Sequence, residues 1–241
     1  MKRVSLPVLL DAQHQSWIGL LDLAERIPDG WTLIGGQMVH LHCWERKVSP
    51  NRATNDIDTV LDIRMVPKML ERFTGVLSDL GFQSAGRSFE GHEHRWVRGA
   101  ATIDILIATG LGEKADTRKG VTGGTTLATS GGQGALDRSV KYEISLAERT
   151  GVINCPTLIG AILIKVAAYS NTRDVFRQRH LQDIAVLSTL IEGSDTTGLV
   201  INKSEKSRAL FVFEHLETNR ALIASIIGSS EGIKRLKLMI S

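Results

Sequence analysis

A chain of 241 residues is longer than a typical single domain, and two modest domains with a substantial buried core are expected. Hydrophobic residues make up 42% and charged residues 23%, an ordinary globular composition that excludes a disordered chain, a collagen-like chain or a disulfide scaffold. The net charge of +3 is too small to mark a nucleic-acid binder by itself. No apolar run approaches the roughly 20 residues that span a bilayer. Asp11, Gln13 and His14 interrupt the stretch after Lys2 and Arg3 before a signal-peptide core can form. A soluble, cytoplasmic protein with no membrane partner is therefore expected. Cys43 and Cys155 stand far apart without any CxxC partner and read as small buried side chains.

Along the chain, Trp17, Leu20, Leu21 and Ala24 recur at helical spacing, so 11–27 reads as an amphipathic helix that stops at Pro28. "WTLI" is a short β-type run closed by Gly35 and Gly36. "QMVHLHCWERK" has helical character, and "VSPNRATN" is a loop rich in turn formers. "DIDTVLDI" alternates and is strand-like. Residues 67–80 read as a helix ending at Gly81, a residue suited to the left-handed conformation past a helix C-terminus. "HRWVRG" and "ATIDILIA" form a strand pair. The glycine-rich stretch 110–134 reads as a long functional or mobile loop, and "RSVKYEISLAE" as a further strand. Beyond about residue 150 strand signals fade, and 157–169, 179–191, 205–216 and 219–227 read as helices. The predicted organisation is a mixed α/β half over 1–150 and a helical half over 151–241. Basic clusters at Arg173, Arg177, Arg179 and His180, at Lys203, Lys206 and Arg208, and at Lys234, Arg235 and Lys237 read, taken alone, as solvated helix faces.

Successive side chains of a strand point to opposite faces, so Asp56 and Asp58 share one face, their backbone positions about 6.6 Å apart. In "TIDILIA", Asp104 is a single carboxylate between Ile103 and Ile105. If the two strands are neighbours, three acids meet. Two carboxylates about 5 Å apart repel by roughly 3 kcal/mol at an effective dielectric near 20. A shared proton, nearby arginines or lysines, or a divalent cation must compensate. Oxygen-only clusters suit magnesium or manganese, and magnesium is commonly held by carboxylates together with substrate phosphates. The competing reading is a strand edge with solvent-facing acids, as for Asp62, which continues the same parity and is assigned no role. Gly35 and Gly36, between a strand and a helix, favour the phosphate reading, because they let backbone amides approach an anion. The absence of a GxxxxGK[ST] loop disfavours a P-loop nucleotidase.

Lys165 is the one charge in the otherwise apolar "PTLIGAILIKVAAY". In a buried helix it must meet a ligand anion or an internal carboxylate, and both readings stand. Asp183 follows Arg179 by four residues, so an ordinary helix ion pair competes with a catalytic role. His40 and His42, two apart on a helix, do not share a face and read as structural or supporting residues.

"IGGQMVHLH", "NRATNDIDTVLDI" and "TIDILIA" together resemble the nucleotidyltransferase superfamily with a polymerase-beta-like core, and specifically the AbiEii/AbiGii toxin family. The resemblance covers roughly residues 31–108 strongly and the helical region 156–190 moderately. It implies an α+β fold: a mixed sheet with flanking helices forming the catalytic domain over 1–150, and a helical domain over 151–241. It further implies that Asp56, Asp58 and Asp104 hold Mg2+ or Mn2+, that Gly35, Gly36, Gln37, Arg52, Thr54 and Lys165 bind the NTP, and that Lys165 and Asp183 join the three aspartates in catalysis. Gln37 stands where many members carry a small hydroxyl residue. The implied activity is transfer of NMP from an NTP to an acceptor hydroxyl, with RNA, such as a tRNA 3′ end, as acceptor and an antitoxin protein as partner. Transfer to a small molecule, as in aminoglycoside-modifying relatives, and a non-catalytic nucleotide-binding module are the alternatives.

Overall fold

The computed structural model describes residues 1–112, 115, 117–147, 149–172, 174–196 and 198–240. Arg173 of the first basic cluster lies outside the described residues. The elements run β1 (Lys2–Ser5), α1 (Asp11–Arg26), β2 (Trp31–Ile34), α2 (Gly35–Glu45), β3 (Ile57–Leu61), α3 (Met69–Asp79), β4 (Gln83–Ser84), β5 (Arg95–Arg98), β6 (Ala101–Ala108), β7 (Leu127–Thr129) and α4 (Gly132–Asp137). They continue with β8 (Ser139–Leu146), β9 (Arg149–Pro156), α5 (Leu158–Tyr169), α6 (Gln178–Thr189), α7 (Lys203–Thr218), α8 (Arg220–Ser225) and α9 (Ser229–Ile240).

A mixed six-stranded sheet has the order β2-β3-β6-β5-β4, with β7 beside the second half of β6. β3 and β6 are parallel and central, which is why "IDTVL" and "ATIDILIA" are so apolar: strands covered on both faces lose polar alternation. β2 and β5 flank them antiparallel. The second sheet, β1-β8-β9, joins the N-terminal strand in parallel to a long hairpin.

Helix α1 packs its Trp17, Leu20 and Leu21 face against β6 and β9. Helix α5 is buried nearly all round, between α6 and α7, as its sequence requires. Residue 150, the expected boundary, lies inside β9, and the fading of strand signal there reflects Ile153–Pro156 being buried on both faces rather than a change to helix. One continuous apolar cluster runs from Trp17 and Ile57 to Leu163, Leu187, Phe213 and Leu236, so both halves of the chain share a core. Among the described residues no helix is long and apolar enough to cross a membrane.

Candidate active site

The site begins where β2 turns into α2. Gly35 has φ +70°, in the left-handed region that favours glycine, and a Cβ there would lie 1.7 Å from Asp58 Oδ2. At Gly36 a Cβ would come within 2.7 Å of Thr54. Both glycines are thus fixed by the approach of the acidic strand. Ile34, the N-cap of α2, supplies no side-chain acceptor, so the first-turn amides of the helix carry no such cap beside Asp58.

The acids arrive by strand register. Asp58 on β3 pairs directly with Asp104 on β6, and Asp104 pairs on its other side with Arg95 on β5. The row Asp58, Asp104, Arg95 therefore crosses three adjacent strands. Asp56 precedes β3 by one residue, and oxygens of Asp56, Asp58 and Asp104 all lie within 4.8 Å of one another. Burial first, and then the charges of Asp56 and Asp104, push the Asp58 carboxyl up to about 7.

Partial compensation comes from Arg95, which the sequence reading placed on a strand and gave no role. Its Nε donates to Asp104 Oδ1 at 2.8 Å, its Nη2 to Asp104 Oδ2 at 2.6 Å, and the same Nη2 reaches Asp56 Oδ2 at 3.4 Å. The hydrogen bonds with Asp104 raise its own pKa against the opposing effect of burial. Thr54 Oγ1 donates to Asp56 Oδ1 at 2.7 Å.

The remaining expected site residues fall into two groups. Gly35, Gly36, Arg52, Thr54, Asp56, Asp58, Asp104 and Lys165 all line a single pocket of about 320 Å³. Gln37 and Asp183 lie behind it. Gln37 is fully buried: its Nε2 donates to the Thr54 carbonyl at 2.7 Å and its Oε1 accepts from Trp17 Nε1 at 3.0 Å, bracing the lead-in to the acids. Asp183 does not pair with Arg179. It accepts from Lys165 Nζ at 2.6 Å and from Arg52 Nε and Nη2 at 2.9 and 3.0 Å. Burial would raise the Asp183 carboxyl, but Lys165 and Arg52 outweigh it and hold the group below the usual carboxylate range. The ammonium of Lys165 thus meets an internal carboxylate while lining the pocket wall.

His40 donates through Nε2 to the Arg52 carbonyl at 2.7 Å, and His42 Nε2 lies 3.1 Å from the Pro156 carbonyl, so both brace backbone. Asp174, Arg179 and His180 complete the wall opposite the acids. Burial and the charge of Lys165 lower the His180 imidazole to about 4, although Asp174 Oδ2 sits 3.0 Å from its Nε2. It is neutral at pH 7. Of this wall only the Arg179–His180 basic cluster is visible in the sequence; Asp174 gives no signal of its own.

No protein-family model matches the sequence, and no curated protein matches it. Among solved structures the chain is similar to an antigenic nucleotidyltransferase-like protein from Paracoccidioides brasiliensis, at 13% identity and a TM-score of 0.53 over 94% of both chains. The chain has a nucleotidyltransferase-like fold. Two structures of the antibiotic-resistance factor ANT(2'')-Ia are also similar. The solution structure has 15% identity and a TM-score of 0.43, over 87% of this chain and 96% of that one. The complex with adenylyl-2''-tobramycin has 13% identity and a TM-score of 0.44, over 84% and 98%.

The donor set fits a hard divalent cation. Three carboxylates offer only oxygen, and burial together with the charges of Asp56 and Asp104 raises the Asp58 carboxyl, a combination that a divalent cation would relieve.

Proposed function

We propose that this protein is a metal-dependent nucleotidyltransferase that moves NMP from an NTP to an acceptor hydroxyl. The observation that carries this reading is the in-register pairing of Asp58 with Asp104, with Asp56 in reach, beside the uncapped N-terminus of α2. Asp56, Asp58 and Asp104 would hold Mg2+ or Mn2+, which would supply Lewis-acid chemistry and charge neutralisation at the transferred phosphate.

In the transfer, the acceptor oxygen bonds to the α-phosphorus, the bond between the α-phosphorus and the bridging oxygen to the β-phosphate breaks, and pyrophosphate departs. The hydroxyl proton passes to the carboxylate cluster. Gly35 and Gly36 line the pocket at the start of α2, and their amides would donate to phosphate oxygens as helix N-termini do. Arg52 and Lys165, both tied to Asp183, give the opposite wall a fixed positive rim. Arg95 holds Asp104 in the orientation that aims it at Asp58.

In line with the sequence resemblance to the AbiEii/AbiGii toxin family, we assign an RNA acceptor, such as a tRNA 3′ end, and an antitoxin protein as partner. The acceptor is identified by incubating the protein with Mg2+ and each labelled NTP, against total RNA and against small hydroxylated acceptors. Label on RNA that is lost in Asp58→Ala supports the assignment. Label on a small acceptor alone refutes the RNA assignment, and nucleotide binding without transfer refutes the enzyme.

A further inference from the structure

Beside the acid pocket lies a second and larger concavity, of about 1000 Å³, between the C-terminal end of α5, the segment leading into α6, and α7. Its cationic lining comes from Arg177, Lys203 and Arg208, with the His215 ring beside them, and among the described residues no carboxylate lines it. Elsewhere in the fold basic side chains are matched in several places: Arg46 with Asp195, Arg52 with Asp183, Arg138 with Glu205, and Arg149 with Asp22 and Glu25. Among the described residues Arg177, Lys203 and Arg208 make no ion pair. The nearest acid of α7, Glu205, is consumed by Arg138 at 2.8 Å and by the Asn202 amide at 3.1 Å.

Aromatic surface is interleaved with these cations. The guanidinium of Arg177 lies 5.0 Å from the centre of the Tyr169 ring, and the His215 ring lies 5.8 Å from it at a 30° tilt. Tyr169 is buried beneath Arg177 and His215, and Phe211, which lines the same groove, is 65% exposed. An exposed apolar ring among uncompensated cations suits a polyanion that carries flat bases. Such a surface binds single-stranded nucleic acid, through phosphate contacts and sequence-tolerant stacking.

The two concavities share one stretch of chain. Lys165, Ala168 and Asn171 line the acid pocket while Tyr169, Ser170 and Thr172 line the groove; Asp174, Arg179 and His180 face the first and Arg177 the second. A strand lying in the groove therefore runs along the wall of the acid pocket. We infer that the groove formed by Arg177, Lys203, Arg208, His215 and Phe211 docks a single-stranded segment of nucleic acid whose terminus is presented to the acid pocket. The presentation rests on the nucleotidyl-transfer reading above; the docking does not.

The test uses the full chain carrying Asp58→Ala, so that turnover does not enter the measurement, and a labelled single-stranded RNA of roughly ten nucleotides. Fluorescence anisotropy is read over a series of salt concentrations. Adding Arg177→Gln with Arg208→Gln is expected to weaken binding about tenfold or more and to reduce the salt slope by about 1.4, at about 0.7 per lost phosphate contact. Phe211→Ala is expected to weaken binding roughly fivefold or more with the slope unchanged. Thermal melts check that each variant folds. RNA affinity unmoved by these substitutions overturns the inference, as does duplex RNA competing as well as the single strand, or preference for an acidic peptide over RNA. Transfer to a small acceptor by the protein with Asp58 intact, assayed separately, would in that case leave the nucleotidyl chemistry standing and remove only the groove.

Discussion

At Asp58 burial and charge pull in the same direction, raising the carboxyl from 3.8 to about 7. In the metal-free protein at pH between those values, the folded state holds a proton that the unfolded chain has lost. More protons bound in the folded state means that the stability contributed by this group falls as pH rises through the window. A divalent cation binds the deprotonated form, so its stabilising effect grows as pH rises. The melting temperature gained on adding Mg2+ is therefore expected to be larger at about pH 8 than at about pH 6. An equal gain at both pH values, measured by differential scanning fluorimetry, would show that Asp58 is not the titrating ligand. Gly35 makes a second point at this scale. Replacing it with alanine puts a methyl group 1.7 Å from Asp58 Oδ2 at φ +70°. Gly35→Ala is expected to lose about 1–2 kcal/mol of stability from the left-handed backbone. Displacing the carboxylate is expected to cost about 10²-fold in transfer rate. Kinetics paired with a urea titration separate the two effects, and unchanged kinetics would sink the steric argument.

Helices α5 and α6 meet through the buried pair Lys165 and Asp183, which the half-buried Arg52 joins to make a trio. Removing the shared carboxylate leaves two cations without their partner, whereas removing the lysine leaves Asp183 still held by both guanidinium nitrogens. Asp183→Asn is therefore expected to destabilise by about 3–5 kcal/mol, and Lys165→Met by about 2 kcal/mol. Chemical denaturation that returned the opposite order would show that Asp183 is not the group on which the trio depends. Much at this scale was legible. The glycine turn, the acidic strand and the partner strand carried their own periodicity, and the four C-terminal helices read from the sequence match α5 to α8 within a few residues. Other elements left weaker traces. β1 and β7 are too short to establish a period, β9 is buried on both faces over its second half, and α9 was missed although Ile233, Leu236 and Ile240 form a buried stripe. Arg95 was within reach of counting alone: in the β5–β6 hairpin Arg98 pairs with Ala101, and stepping outward by three on each side sets Arg95 opposite Asp104. What the sequence could not supply was the choice among compensating charges, because Arg52 and Lys165 are 18 or more residues from Asp183 along the chain and meet it only through packing.

At the scale of the whole molecule, the charge arranged around α5 separates into two sides. Acids and their matched cations sit in the pocket between the sheet and α5, while uncompensated cations sit on the outer side of the same helix. The C-terminal basic clusters, read one by one as solvated faces, separate on this criterion. Lys234 pairs with Glu231 and Lys237 with Glu217, but Lys203 and Arg208 face the groove. The shared core makes the helical half a wall of the site rather than an appendage. Nucleotidyl transfer is distinguished from phosphoryl transfer by where an NTP is cut, so the most direct measurement follows two labels. The protein is incubated with Mg2+, RNA and an NTP labelled at either the α- or the γ-phosphate. The expected result is α-label on the acceptor and γ-label released as pyrophosphate, with both signals reduced about 10³-fold in Asp58→Asn, equivalent to about 4 kcal/mol of transition-state stabilisation. Label from the γ-phosphate on the acceptor, or α-label transferred equally by Asp58→Asn, would contradict a carboxylate-held metal site performing this reaction.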